Sequence, residues 1–135
     1  MKGAFRLDIT NNIMVCVTQQ KTCERLINRG EALKQKYNGD LFVIHAAKEG
    51  TNFLGNQHES DALEYLYDIS KNAGAEMTVL RSKDVPETLL EFAKVRDIKH
   101  IVMGEAPSSN KENDITGMLQ KNMPECVFYI VPSNQ

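Results

Sequence analysis

Apolar positions change their period repeatedly along this chain. Ile13-Met14-Val15-Cys16-Val17 is unbroken and β-rich, as a strand covered on both faces must be. From Thr22 the spacing turns helical: Cys23, Leu26, Ile27, Gly30, Leu33 and Tyr37 share one face, while Glu24, Arg25, Asn28 and Lys36 fall elsewhere. Thr22 is the expected N-cap, its oxygen placed to accept an orphan amide hydrogen. Asn38-Gly39 is the expected stop, with glycine in the left-handed conformation. Gly30, inside the helical face, marks close packing against the sheet.

The unit then recurs. Leu41-Phe42-Val43-Ile44-His45 predicts a second buried strand, and the polar stretch Lys48 to Asn52 leads to a helix from about Glu59 to Ala73. Ala62, Leu63, Leu66, Ile69 and Ala73 supply its apolar face, and Gly74 ends it. Met77 to Leu80 is a third strand, edge-like because Glu76 precedes it. Asp84-Val85-Pro86-Glu87 opens the next helix, with an aspartate to cap, a proline where no amide donor is needed, and a glutamate for a capping box. Ile101 to Met103 is strand four, Thr116 to Asn122 a short helix, and Cys126 to Val131 the last strand.

Five strands alternating with helices predict a three-layer α/β/α fold around a parallel sheet, because parallel neighbours need such crossovers and the crossovers run right-handed. A chain of 135 residues suits one domain, 1–135, with its core at about 12–132.

Composition narrows the partners. Sixteen Lys plus Arg against 18 Asp plus Glu give a net charge of -2, which supports no broad nucleic-acid surface. The three cysteines fit a reducing compartment, with Cys16 in the core and Cys23 and Cys126 inert. No apolar run is long enough for a signal core or a bilayer span, so a cytoplasmic location without membrane insertion is expected.

Motif chemistry is sparse. Thr18-Gln19-Gln20-Lys21 follows strand one where a GxGxxG would stand, and neither a GxxxxGK[ST] loop nor a GxSxG elbow occurs. His45, His58 and His100 have no zinc-like spacing to the cysteines. What remains is positional: Thr18, Gln19 and Gln20 after strand one, His45 and Ala46 at the end of strand two, and Gly104, Ser108 and Ser109 after strand four. In a doubly wound sheet these ends meet over one crevice, with helix amide hydrogens pointing in. A hydrated polar crevice is the competing reading, with His45 satisfied by backbone, Ser108 and Ser109 as loop residues, and Gly104 as a turn.

The runs Ile13 to Thr18 with Cys23 to Gly30, Leu41 to His45, Asp84 to Ala93, Ile101 to Gly104 and Cys126 to Pro132 resemble the universal stress protein family. The likeness is nearest to the universal stress domain of KdpD-type potassium sensor kinases. It implies a sheet of order 3-2-1-4-5, the adenine nucleotide alpha hydrolase-like architecture, with a crevice between strands one and four. In ATP-binding members an aspartate ends strand one, where Thr18 stands here. Their Gly-x-x-Gly after strand four is matched by Gly104 but replaced at Pro107, and Asn113-Asp114 occupies the place of a phosphate-binding Gly-Ser or Gly-Thr. Proline offers no amide hydrogen, and a carboxylate opposes a polyphosphate.

The resemblance therefore implies a non-catalytic regulatory or stress-signalling domain, with ATP, AMP or cyclic di-AMP as candidate ligands at Thr18, Gln19, Gln20, His45, Ala46, Gly104, Ser108 and Ser109. It also implies a homodimer through the fifth strand and a sensor-kinase or other signalling partner. The alternatives are an interaction module without ligand and, last, a weak ATPase.

Overall fold

A computed structural model describes residues 10–105 and 115–132. Five strands form one parallel sheet: β1 (Asn12–Cys16), β2 (Leu41–Lys48), β3 (Ala75–Ser82), β4 (Ile98–Gly104) and β5 (Val127–Val131), in the order β3-β2-β1-β4-β5. The connecting helices are α1 (Gln20–Tyr37), α2 (Glu59–Asn72), α3 (Val85–Val95) and α4 (Ile115–Asn122). The expected sheet order and helical layers are both present.

Alternation along β1 builds two cores. Ile13, Val15 and Val17 face α1 and α2, where they meet Cys23, Leu26, Ile27, Ala62 and Leu66. Met14 and Cys16 face the opposite layer, with Leu89, Phe92 and Ala93 of α3 and Leu119 of α4. Both faces of β1 are buried, which is why its sequence is an unbroken apolar run. The chain winds outward from β1 to β3, then returns to place β4 against β1. Their carboxyl ends therefore flank a topological switch point, where open α/β sheets hold ligands.

Several local expectations need correction. Helix α1 begins at Gln20 behind Gln19, which makes no side-chain cap, so Thr22 is already helical. The first turn of a helix need not be buried, and the apolar period starting at Cys23 marks the second turn. At the other end Asn38 takes the left-handed conformation (φ 60) and its amide donates to Lys34 O at 2.7 Å. Gly39 is required for a different reason, since a Cβ there would collide with the Asn11 carbonyl.

Asp84 caps α3 by accepting from the Glu87 amide at 3.1 Å, as its position predicts. The reciprocal half of the box is replaced: the Asp84 amide donates to Ser82 Oγ at 2.9 Å. Strand β2 continues three residues past His45, because its pairing with β3 runs on to Lys48 opposite Ser82. His100, expected to flank β4, is buried inside it, stacked on Tyr37 at 4.5 Å and bonded through Nδ1 to Tyr129 Oη at 2.9 Å. No described helix is long and apolar enough to cross a membrane.

Candidate functional site

The end of β1 is pinned by the Val17 amide, which donates to Ile44 O at 3.0 Å. One residue on, the chain leaves the sheet, so Thr18 and Gln19 are exposed and Gln20 starts α1 half-buried. The first turn of α1 carries no acidic residue and no side-chain cap, which leaves its amide hydrogens open to an incoming group.

An open cleft of about 910 Å³ faces this helix end. Gln19, Gln20 and Lys21 form one wall, and Asn52, Leu54 to His58 and Tyr65 form the other. The two walls touch where Asn56 Nδ2 donates to Gln20 Oε1 at 2.7 Å. Carboxamides dominate the lining, and among the described residues Lys21 is its one permanently cationic side chain.

The second wall is a folded strap. Phe53–Gly55 forms a 3-10 turn in which Leu54 sits at φ 56, ψ 21. A left-handed residue with a Cβ costs on the order of 1–2 kcal/mol. Here the leucine side chain is 3% exposed and packed in the α1/α2 core, which offsets that cost. Glu59 Oε2 accepts both the Phe53 amide at 3.1 Å and Arg81 Nη2 at 2.8 Å, and the Arg81 guanidinium lies 3.9 Å above the Phe53 ring. The sequence presents residues 52–58 only as a polar linker; Gly50, Asn52, Gly55 and Asn56 were the available turn signal.

His45 lies 3% exposed behind the strap. Its Nδ1 is 2.8 Å from Val17 O, and its Nε2 is 2.8 Å from the Leu54 amide nitrogen. Burial holds its pKa below the ordinary histidine value, while the Val17 carbonyl pulls weakly the other way. Ala46 points to the opposite layer, against the α3/α4 core. Gly104 ends β4 one register step beyond Met103, which pairs with Cys16. It has no positive φ, and among the described residues a Cβ there would meet Leu26 methyls at 3.8 and 3.9 Å, an ordinary contact. Among the described residues, neither backbone nor packing demands glycine at 104. Ser108 and Ser109 lie outside the described residues, as do Pro107 and Asn113-Asp114.

The structure thus brings Gln19 and Gln20 into one cleft with residues of the strap. Thr18 and Gly104 stand at the switch point beside it, and His45 and Ala46 lie on opposite faces of β2. Among the described residues, no three His, Cys, Asp or Glu side chains gather closely enough to hold a metal ion.

Comparison with known proteins agrees with this architecture. A universal stress protein solved in complex with cAMP superposes with a TM-score of 0.67 at 17% identity, over 94% of this chain and all of that one. The universal stress protein from Archaeoglobus fulgidus in complex with dAMP gives 0.57 at 16% identity, over 92% of this chain and 98% of that one. In sequence, the chain is 27% identical over 97 residues to the sensor protein KdpD of Mycobacterium tuberculosis (strain CDC 1551 / Oshkosh). That match covers 72% of this chain, which spans 11% of the length of the curated relative. Residues 10–115 match the universal stress protein family. With that match running from the start of β1 to the start of α4, and the 3-2-1-4-5 sheet built on it, the chain belongs to the universal stress protein family.

Proposed function

We propose that this chain is a non-catalytic regulatory domain that takes an adenine nucleotide, or a nucleotide second messenger, weakly at the carboxyl ends of β1 and β4. The observation carrying this reading is the uncapped, acid-free start of α1, which opens into a cleft of about 910 Å³ on the β2 side of those strand ends, with no β4 residue in its described lining. Free helix amides favour an anion, and the carboxamides around them suit the donor and acceptor edges of a base. Relatives solved with cAMP and dAMP carry ligands of this class.

A single lysine among the described lining residues favours one phosphate over a triphosphate. The non-catalytic reading is supported by His45, both of whose nitrogens are engaged with backbone, and by a lining in which no described residues form a base and nucleophile pair. The likeness to a sensor protein supports a signalling role.

Native mass spectrometry of protein purified without added nucleotide, followed by thermal shifts with ATP, AMP and cyclic di-AMP, tests the reading. A ligand at a hundred times its Kd adds about 2.7 kcal/mol. Absence of a retained ligand together with no shift from any of the three rules it out.

A second reading, a homodimer through β5, is favoured by the exposure of Val127 and Ile130 on that edge strand, each 42%. Sedimentation that stays monomeric at high concentration removes it.

A further inference from the structure

We propose that His45 is a positioning residue that latches the 52–58 strap, the outer wall of the cleft, to the end of β1, and that the latch holds only while its imidazole is neutral. The consequence for ligands rests on the nucleotide reading above, whereas the latch stands on its own geometry.

Donor and acceptor chemistry dictates the tautomer. Val17 O carries no hydrogen, so Nδ1 must donate to it; the Leu54 amide carries one, so Nε2 must be bare. One neutral tautomer satisfies both partners. A proton on Nε2 sets two N–H groups face to face, and the Leu54 amide loses its acceptor in a site closed to solvent.

The surroundings give that proton little help. Arg81 of β3 and Glu59 at the start of α2 are paired with each other through a 2.8 Å contact. Cys23 of α1 shares the core layer as a protonated thiol, and β1 offers on this face only the Val17 carbonyl. His58, one residue before α2, lines the cleft in the exposed outer wall. The His45 ring also lies edge-on to Phe53, with centroids 5.7 Å apart, beneath the Arg81 guanidinium.

Release would be local. The strap keeps its outer anchors, Phe53 to Glu59 and Asn56 to Gln20, while Leu54, held at positive φ, loses the hydrogen bond that fixes its backbone. The cleft wall then loosens at Leu54 and Gly55, and a ligand seated against it is weakened in mild acid.

The test uses the intact chain. Nitrogen-15 spectra of the histidine ring should show a proton on Nδ1 and none on Nε2 at about pH 8. Amide exchange corrected for intrinsic rate should show Leu54 protected at that pH, with protection falling roughly tenfold per pH unit below the pKa of His45. His45→Phe, which keeps a ring against Phe53, should lose the Leu54 protection and its pH dependence. If that variant does not fold, the wild-type titration decides alone. An Nε2–H tautomer, or Leu54 protection that ignores the titration of His45, overturns the latch. Cyclic di-AMP and cAMP, phosphodiesters whose charge is constant over this range, are the ligand probes: their affinity should fall together with Leu54 protection. Binding with unchanged affinity while the strap loosens overturns the coupling. No binding at any pH, with the latch titrating as expected, overturns the nucleotide reading and leaves the latch standing.

Discussion

Val15 Cγ2 lies 2.5 Å from the point where a Cβ on Gly30 would sit, and Leu41 Cδ1 lies 3.0 Å from it. Helix α1 rests directly on β1 and β2 because residue 30 has no side chain. Gly30→Ala should gain about 1 kcal/mol of helix propensity yet cost about 1–3 kcal/mol in overpacking. The expected outcome is a net loss in the urea midpoint, since both neighbours are buried strand residues that cannot step aside. A more stable variant would show that α1 can lift from the sheet.

Ser70 presents the reverse case. It is buried on α2, and its hydroxyl has no hydrogen-bond partner among the described residues. Ser70→Ala removes a polar group from an apolar setting and adds helix propensity, for a gain of up to about 1 kcal/mol. Chemical denaturation of the two proteins measures the difference. A loss of stability would mean that the hydroxyl has a partner.

Acid sensitivity follows from two buried histidines. Burial lowers the pKa of His45, and burial with the neighbouring Lys99 lowers that of His100. The unfolded chain therefore binds more protons than the native one as pH falls below the ordinary histidine value of about 6.5. Stability should be full above that value and decline beneath it, until the folded-state values are passed. Thermal melting between about pH 8 and about pH 5 reads this slope. His45→Phe and His100→Phe, each folded, should each flatten part of it.

The thiols should be inert in the native state. Burial pushes Cys16 up to about 12, and burial with an adjacent glutamate pushes Cys23 and Cys126 each up to about 11. Since the thiolate is the nucleophile, a thiol reagent at neutral pH should modify native protein far more slowly than denatured protein, and all three sites should open together. Rapid labelling of one cysteine would reveal local opening around it.

Much of the fold was legible in the chain, and the reason is specific. β1 reads as a double-faced buried strand because nothing polar interrupts Ile13 to Val17, and α3 announces its own start with Asp84 and Pro86. Gly30 reads as a close contact because a glycine on an otherwise apolar helical stripe needs an explanation. Boundaries were less legible: the N-cap of α1 falls at Gln19 instead of Thr22, because first-turn residues carry no burial signal. The cleft was half visible. Gln19 and Gln20 follow from their place after β1, but Asn52, Leu54 and Asn56 come from a linker whose shape depends on His45 and Glu59, partners outside the turn itself.

Local rules along the chain determined the strand and helix sequence, the parallel arrangement and the switch point, since periodicity and crossover length depend on neighbours a few residues away. Only the tertiary structure decided that His45 turns inward and spends both nitrogens on backbone, and that Leu54 holds a left-handed conformation. Those properties depend on which atoms meet across the sheet and the strap, and pairs such as Val17 with His45 or Gln20 with Asn56 are made by folding, with tens of residues between them.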